Sequence, residues 1–259
     1  MELEYDIVVA TGNMGKMVEI ASILAAAGGK AGVLRVLTLK AAIGYMPDVD
    51  ENGETLLENA CIKADAARKA LWAHACTMQA SMMQASSTQA SMMQDRSTHA
   101  SSTHDCSTYA CSTKASSIDS RTIVIADDSG LFVDSLGGRP GIHSARYAGP
   151  DATPATQIGM LLDELRGVAA DMRAASFRCA VAINYPDGST CSTEGICEGI
   201  IGMHPKGGNG FGYDPVFFLP EYGLTMAELS SIEKNKISHR AKAIIKAADE
   251  INAYLINHS

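Results

Sequence analysis

Short apolar runs alternate along this chain with longer stretches whose apolar residues recur at helical spacing. Tyr5–Ala10 reads as a buried strand and Val33–Leu39 as a second one. Between them, Met17–Ala27 has the helical period, with Gly28-Gly29 as its stop. Thr55-Leu56-Leu57-Glu58 fits a capping box that opens a helix running to about Trp72. Its apolar stripe is Leu57, Ala60, Cys61, Ala64 and Leu71, which puts Asn59 and Lys63 one turn apart on the opposite face. Thr122–Ala126 predicts a strand, followed by a short extended piece at Leu131-Phe132-Val133. A helix begins at Thr153-Pro154 and carries Ile158, Leu161, Leu162 and Leu165 before Gly167. Ser176–Tyr185 and Ser189–Ile201 flank Pro186-Asp187-Gly188, a hairpin signal. Ser238 caps a last helix whose inner face is Ile244, Ala248, Ile251 and Leu255. Helices alternating with strands, with a hairpin in the middle, predict an α/β fold built on a mixed sheet.

One segment breaks the pattern. Residues 75–120 read as pentads (ACTMQ, ASMMQ, ASSTQ, ASMMQ, DRSTH, ASSTH, DCSTY, ACSTK), with 18 Ser or Thr in 46 residues. So little apolar surface cannot offset the entropy of ordering, and a pentad solenoid would need a large apolar side chain in every turn. The segment is expected to be a disordered surface loop inserted into a single domain spanning residues 1–259, because long surface insertions add little to closure entropy. The competing reading makes the pentads an interaction or regulatory segment.

Net charge is −8, which provides no general basic field for DNA or RNA. No apolar run approaches the roughly 18–20 residues that cross a bilayer. The first ten residues carry acidic groups where a signal peptide carries basic ones. The seven cysteines show no CxxC spacing, and Cys61, Cys179 and Cys197 read as reduced core thiols. Together these features predict a cytoplasmic protein with neither nucleic acid nor membrane as partner.

The candidate chemistry lies where strands end. Thr11-Gly12-Asn13-Met14-Gly15-Lys16 joins the first strand to the first helix, so free backbone N–H groups, the helix dipole and a lysine can cradle phosphate. It is not a Walker A loop, which needs four residues between its glycines and Ser or Thr after the lysine; Met17 stands there. Asp127-Asp128-Ser129-Gly130 follows the strand at 122–126, and the pleat should send only one of the two carboxylates into a site. Glu51, in the acidic loop 48–54, is a candidate second carboxylate, with Asp48 and Asp50 as alternatives. Mg²⁺ bound by one or two carboxylates and substrate phosphate oxygens suits that supply. Gly207–Gly210 leads into Phe211-Gly212-Tyr213-Asp214, whose aromatics offer a purine platform. His239 and Arg240 fall on the first turn of the helix that Ser238 caps, where an arginine is electrostatically unfavourable, which favours a role in holding a ligand.

In order, ATGNMGKMVEI (10–20), GETLLENACIKA (53–64), ADDSGLFVDSLGGRPGIHSARYAG (126–149), GGNGFGYDPVFF (207–218) and EKNKISHRAKA (233–243) resemble the motifs of the ITPase-like family, the inosine/xanthosine triphosphate pyrophosphatases. The resemblance implies an elongated, two-lobed α/β fold around a central cleft, normally a homodimer. It also implies Mg²⁺-dependent cleavage of ITP, dITP or XTP to the monophosphate and pyrophosphate. On the matching positions, Thr11, Gly12, Asn13, Met14, Gly15, Lys16 and Lys63 would hold the triphosphate. Asp128 would be the proton acceptor or the metal-linked carboxylate, Glu51 a further metal ligand, and Ser129 a substrate contact. Phe211, Gly212, Tyr213, Asp214, Lys234, His239 and Arg240 would frame the base. Two rivals stand beside this reading. One is a Maf-like pyrophosphatase, which Ser238-His239-Arg240 argues against; the other is a nucleotide-binding scaffold working through its pentads.

Overall fold

The computed structural model describes residues 4–27, 33–94 and 121–258. Strands β1 (Glu4–Val9), β2 (Val33–Thr38), β3 (Thr122–Val133), β4 (Pro140–Gly141), β5 (Ala174–Asn184), β6 (Thr190–Ile201), β7 (Phe217–Leu219) and β8 (Leu224–Thr225) form one sheet. Its order is β2-β1-β3-β5-β6-β7-β8, with β4 pairing β3 off that path. β2, β1 and β3 are parallel, and the remaining pairs are antiparallel. The predicted mixed sheet is therefore present, and the 185–189 turn joins β5 to β6 as a hairpin.

β3 departs from the sequence reading in a way that creates the site. Instead of ending at Ala126, it runs unbroken to Val133, pairing β5 from Val124↔Asn184 to Val133↔Ala175. On its other edge, pairing with β1 stops at Val9↔Ile125, and pairing with β4 starts only at Leu131↔Gly141. Residues 126–130 thus keep one open edge in mid-strand, where β1 turns away into the glycine bend. Ligands of α/β folds bind at such switch points.

The helices are α1 (Met14–Ala27), α2 (Leu39–Ile43), α3 (Leu56–Gln94), α4 (Pro154–Glu164), α5 (Ser231–Ile237) and α6 (His239–Asn257). α1 and α6 pack on one sheet face, burying Ile7, Ile123, Ile125, Val181 and Ile183 against Ile20, Leu24, Ile244 and Ile251. α2 and α3 cover the other face, over Val8, Val124, Ala126 and Ala182. A further core lies toward the far end of β3 and β5, where Leu131, Val133 and Phe177 meet α4 and Phe217. Residues 126–130 sit between these cores.

α3 continues through the first four pentads to Gln94 instead of stopping near Trp72. Ala, Met and Gln favour helix, and the hydroxyls fold back onto the preceding turn: Thr77 donates to the Ala73 carbonyl at 2.9 Å and Ser81 to Thr77 at 3.0 Å. No side chain between Trp72 and Ser81 is buried. The pentads from residue 95 onward, like Gly28-Gly29, lie outside the described residues. The buried stripe of α3 is Leu56, Ala60, Ala64, Ala67, Ala70 and Leu71, so Cys61 is exposed rather than a core thiol, while Cys179 and Cys197 are buried. Helix α2 was missed by periodicity because it is one turn long; Thr38 caps it and Gly44 ends it at φ 86°. No helix among the described residues is long and apolar enough to cross a membrane.

Candidate active site

The glycine bend becomes a helix start because of Asn13. Its Oδ1 accepts the backbone N–H groups of Gly15 (2.9 Å) and Lys16 (3.2 Å), and Asn13 N donates to Thr11 Oγ1 at 3.2 Å. This cap begins α1 three residues earlier than its apolar period suggests and brings Lys16 over β3. The pleat of β3 then sends the two aspartates to opposite faces. Asp127 lies on the α1/α6 side, where its Oδ2 meets Lys16 Nζ at 3.0 Å and Arg240 Nε at 3.1 Å. Asp128 lies on the α3 side, where Lys63 Nζ approaches its Oδ1 at 2.7 Å and Asn59 donates to Oδ2 at 3.4 Å. Lys63 also reaches Glu51 Oε2 at 2.9 Å. Asn59 and Lys63 therefore flank the buried stripe of α3 at its cleft end, not the opposite face.

Both aspartates line one cleft of about 660 Å³, because the edge of β3 is open there. The pleat still separates them as expected: the Asp127 side chain is 1% exposed beneath Lys16 and Arg240, whereas Asp128 faces Lys63. Their electrostatics differ. Burial opposes ionisation of Asp127, but Lys16 and Arg240 outweigh it and hold its carboxyl well below the usual carboxylate range. For Asp128 burial prevails and raises the carboxyl above its ordinary value, with Lys63 offsetting only part. Lys63 is itself pushed up: burial disfavours its charge, and Asp128 and Glu51 more than restore it.

At the other end of the cleft, Ser238 caps α6 by accepting from Ala241 N at 3.1 Å, and this sets His239 and Arg240 on the first turn. Arg240 is 1% exposed. Its NH1 meets Glu19 at 2.6 Å and its NH2 donates to Ser129 Oγ at 3.3 Å, while that hydroxyl donates to Asp127 at 3.2 Å. These anions neutralise the arginine that the helix dipole disfavours. Lys234 Nζ, also buried, sits 2.7 Å from both Glu19 and Asp214 and 4.7 Å from the Phe211 ring centre. His239 stacks on Phe177 with centroids 4.8 Å apart, and its buried Nδ1 has no hydrogen-bond partner. Burial, with Arg240 and Lys234 adding to it, lowers the His239 pKa well below normal, so the imidazole is neutral. Tyr213 is wall rather than platform: it is buried, and its hydroxyl donates to Ser144 O at 3.0 Å.

Glu51, Lys63, Asp128, Ser129, Thr11, Gly12, Asn13, Lys16, Phe211, Gly212, Tyr213, Asp214, Lys234, His239 and Arg240 all line this cleft; Met14 and Gly15 do not. Met14 is 66% exposed. Gly15 leaves room for Phe211, since a Cβ there would lie 3.3 Å from that ring. Asp48 lines the cleft and Asp50 does not.

A family model described as "Ham1 family" matches residues 7–84 and 75–250, two stretches that meet within the first pentads. The chain belongs to the Ham1 family. Its relatives include proteins named dITP/XTP pyrophosphatase in Geobacillus kaustophilus, 40% identical over 95% of this chain and 93% of the relative, and in Bacillus subtilis, 37% identical over 95% and 96%. Among solved structures, a Ham1 protein of Staphylococcus aureus superposes with TM-score 0.66 at 32% identity, covering 98% of this chain and all of that one. A Coxiella burnetii HAM1 protein gives 0.66 at 30% identity, covering 96% and 99%.

Sequence reasoning missed several participants of this Ham1 site. Glu19 looks like an ordinary helix-surface acid, yet it bridges Lys234 and Arg240. Gln157 of α4 is buried at the cleft wall and donates to Ala145 O at 2.7 Å. Arg146 reaches across to the Glu51 carbonyl at 3.4 Å. A polar residue at a core position of a helix was the one available signal, and only Gln157 carried it.

Proposed function

We propose that this chain hydrolyses dITP, XTP and ITP between the α and β phosphates, releasing the monophosphate and pyrophosphate. The observation that carries this reading is one cleft with a lysine-carboxylate cluster at one end and buried cationic donors beside an aromatic ring at the other. The names of the relatives support the same reading.

At the phosphate end, the α1 N-terminus, Lys16 and Lys63 meet the negative charge of the triphosphate. Among the described residues, no group of three His, Cys, Asp or Glu side chains is arranged to hold a metal. Two carboxylates do share one cation: Glu51 and Asp128 both contact Lys63 Nζ, at 2.9 and 2.7 Å. Such a pair of hard oxygen donors, completed by phosphate oxygens, fits Mg²⁺. Glu51 and Asp128 would hold the ion, which supplies Lewis-acid neutralisation of phosphate charge. Asp128 orients water toward the α-phosphorus and accepts its proton. Lys16 and Lys63 stabilise the departing pyrophosphate.

At the base end, Arg240 and Lys234 lie over Phe211, at 5.3 and 4.7 Å from the ring centre, beside neutral His239. N–H donors there match a 6-keto oxygen. Adenine would present its 6-amino group, donor against donor, and leave buried groups unpaired. The working form is a homodimer in this reading, which sedimentation would check. The test of the whole is pyrophosphate release from a panel of nucleoside triphosphates with and without Mg²⁺. dITP and XTP should exceed dATP and dCTP by at least about 10²-fold in kcat/KM, within reach of polar mismatch. Comparable turnover of all four, or of none, sinks the proposal.

A further inference from the structure

We propose that Asp127 is a positioning residue: its carboxylate locks the phosphate-end lysine to the base-end arginine, so that recognition of the base and alignment of the phosphates depend on one another. This rests on the function proposed above and assigns a role to the aspartate that neither the metal nor the proton transfer uses.

The two ends of the cleft are built by different elements. Lys16 comes from the first turn of α1 and Arg240 from the first turn of α6. Both converge on a single oxygen, Asp127 Oδ2, at 3.0 and 3.1 Å. Ser129, two residues on and on the same face of β3, donates to that oxygen at 3.2 Å and accepts from Arg240 NH2 at 3.3 Å. The Asp127 side chain is 1% exposed, so water does little to screen these contacts. Its backbone is fixed in mid-sheet by pairing with Val181 of β5.

The counter-ions are not interchangeable. Arg240 has a second anion in Glu19, whereas Lys16 makes no other ion pair among the described residues. Without the Asp127 charge, Lys16 loses its anchor and faces a buried guanidinium of like charge. Arg240 keeps Glu19 but loses the contact that orients its Nε edge. The metal-side cluster of Lys63, Glu51 and Asp128 lies across the strand and shares no ion pair with Asp127. Loss of the Asp127 charge should therefore disturb both ends of the substrate while leaving the Mg²⁺ requirement in place.

The experiment is Asp127→Asn, with steady-state kinetics on dITP and dATP, a Mg²⁺ titration, and a melting curve to confirm folding. Charged hydrogen bonds of this kind predict a rise in KM for dITP of about tenfold or more, with the dITP-over-dATP preference falling by a similar factor. The Mg²⁺ requirement itself should persist, since Glu51 and Asp128 are untouched. Asp127→Glu, which keeps the charge but moves it by one methylene, should shift KM and preference in the same direction to a smaller degree. It carries the test alone if the asparagine variant does not fold. Wild-type KM and preference in the folded variant would overturn the proposal, as would turnover that no longer requires Mg²⁺. If wild-type protein fails to cleave dITP, the parent reading falls instead, so the two failures are distinguishable.

Discussion

Asp127 and Asp128 are neighbours with opposite electrostatic fates. The pleat points one at Lys16 and Arg240 and the other at Lys63, and burial raises the second carboxyl while cations depress the first. An Asp128 acting as base must be ionised, so kcat/KM falls as pH drops through its raised pKa. Lys63 lowers that pKa; removing it therefore moves the acid limb upward. In Lys63→Ala, the pH–kcat/KM profile should show this limb at higher pH than wild type, with peak activity down by about 10²–10³-fold, as for other lost charge-stabilising donors. An acid limb that stays put or moves down would remove Asp128 from the role of base. At this scale the sequence was informative about residue types but not about geometry. The doublet Asp127-Asp128 and its division by the pleat were visible, whereas the open edge of β3 beside them is encoded by no local pattern. Glu19 was illegible because an acid on an exposed-looking helix turn has no periodic signature of burial.

Helix α6 is the element that aims His239 and Arg240 at the cleft, and it is set by a close crossing over β6. A Cβ on Gly195 would overlap the His239 carbonyl and lie 2.6 Å from Ala243 N, so only glycine permits this approach. Thr193 Oγ1 donates to Ala243 O at 2.9 Å, and Lys242 and Lys246 donate to the carbonyls of Ile196 and Glu194 at 2.9 and 2.8 Å. Those lysines occupy acceptors on an edge of β6 that β7 reaches only at Ile200 and Ile201. Gly195→Ala should push the first turn of α6 off the sheet, costing about 1–3 kcal/mol, as overpacked sites do. A thermal melt reads that loss, and the dITP-over-dATP preference should fall with it. A variant with wild-type stability and preference would mean that the crossing does not set His239 and Arg240. The capping residues Thr55, Thr153 and Ser238 and the β5–β6 hairpin were legible because their signals are local. The length of β3 and the extension of α3 were not. Gly130 does not break a strand when β5 pairs it throughout, and the Ala-, Met- and Gln-rich pentads carry helix propensity without an apolar stripe.

Across the whole molecule, the sheet brings together motifs that lie far apart in sequence. β1 delivers the glycine bend beside β3, α3 brings Lys63 from one face, and α1 and α6 bring Lys16 and Arg240 from the other. The site residues thus gather around one interrupted strand edge, while the described pentad residues 75–81 contribute no side chain to the cleft. Five ordered motifs foreshadowed this family membership, and the mixed sheet was foreshadowed by a hairpin among alternating helices. The central claim is that water attacks the α-phosphorus beside Asp128 while the two lysines hold the departing pyrophosphate. Hydrolysis of dITP in ¹⁸O-labelled water, with the products separated and weighed by mass spectrometry, tests it directly. The label should appear in dIMP, with unlabelled pyrophosphate released in equal amount; label in pyrophosphate, or release of inorganic phosphate and dIDP, would contradict the account.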